Sequence, residues 1–266
     1  MVGLKTHSKC VLVVRQEESG LRRYVHVGTG NYNSKTARVY EDIGLFSCDE
    51  QICDDVSRLF NALTGFSAEP EYARLIVAPQ YLRPMIAQLI ENEIAHGEAG
   101  HIVMKMNALG DKETIDLLYR AAEAGVQIEL LVRGICTLRP GGEVGERIRV
   151  RSVLGRYLEH SRMYRFAHGA ADGGPMYLIG SADMMPRNLD KRVEVLVPVD
   201  HPKHRTWIDK VFEILWSDEA VAFEMSRDGS WHRTGPAEFT DDHDAQHLIH
   251  VENSASQTRV DAARPQ

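Results

Sequence analysis

The chain carries an internal duplication at an interval of 152 to 153 residues. His7-Ser8-Lys9 returns as His160-Ser161-Arg162, and Gly28-Thr29-Gly30-Asn31 returns as Gly180-Ser181-Ala182-Asp183. Fourteen residues beyond each leading glycine stands a carboxylate, Asp42 in one copy and Glu194 in the other. A histidine two residues from a cation arises by chance, and Gly-Thr-Gly is ordinarily only a turn. Three elements in the same order at the same spacing mark a repeat architecture. The repeat constrains the fold to two related halves, each presenting the same groups. Side chains two apart on a strand share a face, so each histidine and its cation point the same way. A duplication kept only for folding explains the glycines. It does not explain why both copies hold a histidine beside a cation.

Those residue types make phosphoryl-transfer equipment. His7 and His160 can attack phosphorus or move a proton near neutral pH. Lys9 and Arg162 can hold phosphoryl oxygens as charge moves in the transition state. The Gly-Thr and Gly-Ser turns bring backbone N–H groups and a hydroxyl to the same oxygens. Asn31, Asp183, Asp42 and Glu194 can orient the imidazoles through the second ring nitrogen. Asn31 and Asp183 can equally be turn residues, and Asp42 and Glu194 strand-end salt-bridge partners.

Around the repeat, short β-rich runs alternate with amphipathic helical runs. Cys10–Arg15 and Leu21–Val27 read as a hairpin turned by Glu17-Glu18-Ser19-Gly20. Helices are predicted over Asp49–Leu63, Leu82–Ala95, Lys112–Ala124 and Lys203–Trp216, where apolar residues recur at helical spacing. Strands are predicted over Leu75–Ala78, Ile102–Met106, Val126–Arg133, Arg147–Arg151, Met163–Ala167, Met176–Ile179 and Arg192–Pro198. This βαβ-like order implies a parallel or mixed sheet covered by helices. Residues 235–266 have few apolar residues and no period, and are expected to be a mostly disordered tail. The four cysteines form no CxxC pair, so neither a zinc knuckle nor a redox motif is indicated. No run approaches the roughly 20 apolar residues of a membrane span. With no signal peptide visible, a cytoplasmic location is expected.

The histidine-X-cation element followed by Gly-Ser/Thr-X-Asn/Asp resembles the phospholipase D superfamily, which pairs two such motifs across a pseudo-two-fold axis. The hydrolases of that family carry an Asp five residues after the motif lysine; here Val14 and Ala167 stand in those places. Longer strings are similar to the catalytic region of bacterial polyphosphate kinases of the first type. They are Lys5–Lys9, Arg23–Asn33, Thr36–Asp42, Leu130–Cys136, Leu158–Arg162 and Gly180–Asp190. The resemblance covers roughly residues 1 to 234. It implies an α/β chain of two phospholipase D-like repeats, each a mixed β-sheet flanked by helices. The expected division is 1–66 as an N-terminally truncated first catalytic domain, 67–234 as the second, and 235–266 as the tail. The implied activity is reversible transfer of the ATP terminal phosphate to polyphosphate, with Mg2+. By motif, His7 becomes phosphorylated, His160 assists proton transfer and contacts the nucleotide, and Tyr40 and Arg133 contact the nucleotide. Arg38, Arg187 and Arg192 follow the glycine turns and are expected along the polyanion path.

Family members are more than twice this long, and the first histidine stands six residues from Met1. The chain is therefore expected to be a C-terminal fragment or a split gene product. Its expected partners are ATP or ADP and polyphosphate, with a second copy or the missing N-terminal part as further candidates, and no nucleic acid. The other readings are a phospholipase D-type phosphodiesterase and an inactive fragment that binds polyphosphate.

A net charge of −7 argues against a diffuse anion binder. Yet residues 1–40 and 133–165 each sum to +5, and each block contains one histidine motif. A cationic site inside an acidic protein is the expectation.

Overall fold

The computed structural model describes residues 4–65, 71–142 and 145–262. In chain order the first part holds β1 (Lys5–Thr6), β2 (Lys9–Glu17), β3 (Gly20–Gly28), β4 (Tyr40–Glu41), β5 (Gly44–Ser47) and α1 (Glu50–Leu63). There follow β6 (Ile76–Val77), α2 (Leu82–His96), β7 (His101–Met106), α3 (Lys112–Glu123), β8 (Gln127–Val132) and β9 (Ile148–Val153). Next come β10 (Leu158–Glu159), β11 (Met163–Phe166), β12 (Met176–Gly180), α4 (Pro186–Asp190), β13 (Arg192–Val193) and β14 (Val195–Pro198). The chain closes with α5 (Pro202–Trp216), β15 (Ala222–Met225), β16 (Trp231–Thr234) and α6 (Ala245–Ala262).

Local chemistry accounts for the boundaries. The β2–β3 hairpin turns at Gly20, whose φ of 116° lies in a region open chiefly to glycine. Asp49 caps α1 by accepting from Ile52 N at 3.0 Å, and Asp111 caps α3 by accepting from Thr114 N at 3.0 Å. Strands β7, β8 and β9 run parallel at the centre of a nine-stranded mixed sheet, and the remaining strands are added antiparallel. Its two faces bury separate apolar clusters. Ile102, Met104 and Met106 of β7 pack with α2 and α3 on one side. Val103 of the same strand lies in the cluster shared with α1, α5 and the first half. Alternation along one strand thus divides the molecule into layers.

In the first half the sheet is three-stranded, β2-β3-β5, and antiparallel throughout; the mixed sheet belongs to the second half. Two parallel pairs, β1 with β13 and β10 with β4, stitch the halves together. The run predicted as one strand over Arg192–Pro198 is broken at Glu194, where the chain passes from β13 to β14.

The expected disordered tail needs correction. Residues 241–243 form a 3-10 turn and Ala245–Ala262 a helix. Its anchor is polar, which is why no apolar period announces it. Asp244 accepts from Arg156 N at 3.0 Å, and Gln246 both accepts from Tyr157 N and donates to Tyr157 O. Trp207 Nε1 donates to Asn253 Oδ1 at 2.5 Å.

Arg151 supplies the ionic pin of the far sheet edge. It is 1% exposed, donates to Glu224 at 2.8 Å, and donates to the carbonyls of Leu215 and Ser217 at the end of α5. Arg151→Ala leaves Glu224 only the longer contact to Arg149 at 3.5 Å and strands two carbonyls, and is expected to cost about 3 kcal/mol in urea unfolding. A loss below about 1 kcal/mol would show the pin to be idle.

Candidate active site

Each parallel stitch ends one residue short of a histidine and a carboxylate. Lys5 pairs with Arg192 and Thr6 with Val193, so the next step along the ladder sets His7 beside Glu194. Leu158 pairs with Tyr40 and Glu159 with Glu41, so the next step sets His160 beside Asp42. The N–H groups of His7 and Ser8 both donate to Val193 O at 2.9 Å, fixing the approach. The outcome is an exchange across the pseudo-two-fold axis. His7 Nδ1 meets Glu194 Oε2 at 2.8 Å, and His160 Nδ1 meets Asp42 Oδ1 at 2.7 Å. Each carboxylate serves the other half's imidazole.

The duplicated turns hold those carboxylates identically. Thr29 Oγ1 donates to Asp42 at 2.7 Å and accepts from Ile43 N at 2.9 Å. Ser181 Oγ donates to Glu194 at 2.5 Å and accepts from Val195 N at 3.1 Å. Asn188, on α4, adds a bond to Glu194 Oε1 at 2.5 Å. Both carboxylates already receive hydroxyl donors, so they act as acceptors and the imidazole Nδ1 is the donor. That fixes the tautomer with the lone pair on Nε2. Of the two leading glycines, Gly180 leaves no room for a Cβ, which would fall on the Val195 carbonyl, whereas one at Gly28 would meet His26 Cε1 at 3.1 Å; at Gly30, where the other copy has Ala182, a Cβ would fall on the Asp42 carboxylate.

The two cations are buried with the histidines. Lys9 is 4% exposed and donates to His7 O at 2.5 Å; Arg162 is 3% exposed and donates to His160 O at 2.8 Å. Arg162 also spans to the other half through Thr29 O at 3.2 Å, and pairs with Asp183 at 3.1 Å. Asp183 in turn accepts from Asn107 N at 2.8 Å. Burial pushes the Lys9 ammonium down to about 8 despite Glu194, with Arg162 adding to the fall. A buried cation with a lowered pKa attracts an anion that can take the place of lost water.

The structure places Tyr40 against His160, with ring centroids 4.8 Å apart. Arg133 reaches the same histidine indirectly: its Nε donates to Asn107 Oδ1 at 3.1 Å, and Asn107 Nδ2 donates to His160 O at 3.4 Å. Each cation donates to the carbonyl of its own histidine, but Arg162 also pairs with Asp183, a role that the uncharged Asn31 does not repeat for Lys9. Asn31, Arg38 and Arg187 are exposed, and neither arginine forms an ion pair among the described residues. Arg192 lies 4.0 Å from Glu194.

The expected cationic excess is smaller than the sequence blocks suggest. Arg147, Arg149, Arg151 and Arg165 are spent on Glu98, Glu129, Glu224 and Asp209. The hydroxyls of the Gly-Thr and Gly-Ser turns, expected at the phosphoryl oxygens, are instead taken by carboxylates: Thr29 serves Asp42 and Ser181 serves Glu194. Sequence reasoning passes over Asn107, Asn188, Glu41 and Lys105. Lys105 does leave a signal, a single charge inside the apolar run Ile102–Met106.

Mg2+ finds no open donor set in these residues. Asp42 and Glu194 are committed to imidazoles and hydroxyls, and Asp183 to a guanidinium and an amide. Among the described residues no group of three or more His, Cys, Asp or Glu side chains is placed to hold a metal ion. No helix among them is long and apolar enough to cross a membrane.

Residues 1–69 match the family described as polyphosphate kinase C-terminal domain 1, and residues 75–246 match polyphosphate kinase C-terminal domain 2. The sequence is 50% identical over 239 residues to a polyphosphate kinase of Thermosynechococcus vestitus, covering 88% of this chain and 32% of that protein. It is 51% identical over 237 residues to one from Streptomyces coelicolor, covering 88% of this chain and 31% of that protein. The crystal structure of a polyphosphate kinase from Porphyromonas gingivalis superposes with a TM-score of 0.86 at 36% identity, over 97% of this chain and 40% of the other. The chain spans about a third of the length of the curated relatives it matches.

Proposed function

The chain belongs to the polyphosphate kinase family, and from that premise we propose that its two-histidine site moves the terminal phosphate of ATP to and from polyphosphate through a phosphohistidine on His7. One observation carries the reading: each imidazole is tied at Nδ1 by a buried or half-buried carboxylate, which leaves the His7 Nε2 for chemistry and sets the His160 Nε2 3.3 Å from Arg162 Nη1. His7 Nε2 attacks the terminal phosphorus, a P–N bond forms, and the bond to the bridging oxygen breaks as ADP leaves. Glu194 balances the positive imidazolium that results. A terminal oxygen of polyphosphate then attacks the same phosphorus, and the P–N electron pair returns to His7. Lys9 and Arg162 hold the oxygens that carry charge in both steps. His160, oriented by Asp42 and entering the first step as an imidazolium, gives its Nε2 proton to the bridging oxygen of the departing ADP and takes one back from the attacking polyphosphate oxygen, and Tyr40 steadies the nucleotide beside it. Mg2+ enters with ATP rather than on a site made by these side chains. Residues 1–66 and 67–234 are read as the two catalytic domains that share the site.

The test is incubation of the chain with terminally labelled ATP and polyphosphate. Label on the polymer and acid-labile label on the protein are expected. Cleavage of a phosphodiester without ATP, and no transfer, would favour a phosphodiesterase instead. Binding of polyphosphate with neither activity would favour an inactive binding fragment.

Lys9 gives a pH signature. Its ammonium is charged below about pH 8 and neutral above, so the anion-holding charge is lost as pH rises. Affinity for tripolyphosphate, measured by calorimetry, is expected to fall roughly tenfold between pH 7 and 9. In Lys9→Arg the inflection should vanish, because a guanidinium stays charged throughout. An unchanged inflection in that variant would assign it to another group.

A further inference from the structure

The two imidazoles share a front and differ behind. One step before Glu194 in the ladder at His7 stands Val193, fully buried. One step before Asp42 in the ladder at His160 stands Glu41, paired with Glu159. Between those carboxylates lies Lys105, 5% exposed on β7. Its ammonium is 2.7 Å from Glu159 Oε2 and 3.1 Å from Glu41 Oε2, and it donates to Ser161 Oγ at 2.7 Å. Ser161 Oγ donates onward to Glu41 Oε2 at 2.7 Å. Glu159 Oε1 accepts from Gln246 at 2.6 Å, so the C-terminal segment closes the chain of contacts.

Burial pushes the Glu159 carboxyl up, and Lys105 offsets only part of that rise. At Glu41 burial also pushes upward, but Lys105 and Ser161 outweigh it and the pKa falls below the usual carboxylate value. Lys105 loses to burial and regains more from the two carboxylates, so it stays charged. A buried ionic cluster is a weak source of stability, and apolar packing does as well, as Val193 does behind His7. What it supplies is a fixed geometry.

We propose that Lys105 is a positioning residue: through Glu41 and Ser161 it locks β4 to β10, so that Asp42 and Tyr40 hold His160 in one orientation. The consequence for turnover rests on the functional reading above; the consequence for the imidazole does not. The whole chain, labelled at histidine nitrogens, provides the readout by NMR. The slowly exchanging Nδ1–H of His160 is identified by its loss in Asp42→Asn, and that of His7 by its loss in Glu194→Gln. Glu41→Ala leaves Lys105 paired with Glu159 and the interior balanced, so it is the primary variant, with Lys105→Met as the second. Exchange at His160 is expected to quicken at least about tenfold in both, with His7 unchanged. An unchanged His160 signal in the folded Glu41→Ala protein would overturn the proposal. In a transfer assay, Glu41→Ala should lower kcat about 10- to 100-fold while the label on His7 persists. If the unaltered chain transfers no phosphate, the functional reading falls and the NMR result still decides the positioning.

Discussion

His7→Ala is expected to remove all acid-labile label from the protein and to lower phosphate transfer roughly 10⁴-fold or more. The imidazole Nε2 is the atom at the first motif that both carries a free lone pair and belongs to a ring held at its other nitrogen. Lys9 beside it is an ammonium below about pH 8 and has no lone pair with which to attack. His160→Ala should behave differently. It removes the group assigned to proton transfer, so turnover falls by roughly 10²- to 10⁴-fold while His7 still takes label. Rapid-quench labelling with terminally labelled ATP separates the two. Label persisting in His7→Ala would move the phosphorylated group elsewhere.

Glu194→Gln is expected to slow labelling of His7 by roughly 10²- to 10⁴-fold, although the two residues lie 187 positions apart. Glutamine keeps the shape but presents an amide that can no longer balance a charged imidazole. The wrong tautomer, with its proton on Nε2, then becomes competitive. Asp42→Asn, in the same half as His7, should leave labelling near its original rate and slow only the steps that use His160. Single-turnover labelling and steady-state turnover, measured on both variants, check the exchange directly. A result in which Asp42→Asn stops labelling and Glu194→Gln does not would mean that each half works for itself.

Much of the site is legible in the amino-acid sequence. The repeat marks His7, Lys9, His160, Arg162, Asp42 and Glu194, and the structure gathers all six. Helices α1, α2, α3 and α5 and most strands announce themselves by period, because each buries one stripe or one face. The exchange of carboxylates is not legible. Spacing says that Asp42 follows the first turn as Glu194 follows the second, and is silent on which imidazole each will meet. That is decided by two-residue parallel ladders, too short to leave a pattern of their own. Lys105 and Glu41 escape for a related reason: their partners come from opposite ends of the fold. The C-terminal helix escapes because Asp244 and Gln246 anchor it through hydrogen bonds, and a scan for apolar spacing does not see amides. The strand break at Glu194 leaves no signal because Val193 and Val195 on either side both read as strand.

The crossed ladders also bear on how the two copies are inherited. After a duplication, each copy is at first a spare for the other, and damage to one can be tolerated. Once each imidazole draws its carboxylate from across the axis, that redundancy ends. A change at Asp42 is felt at His160 and a change at Glu194 at His7, so selection on one half is exercised through the other. The pair then evolves as one lineage, free to differ at positions such as Glu41 and Val193 but not to separate.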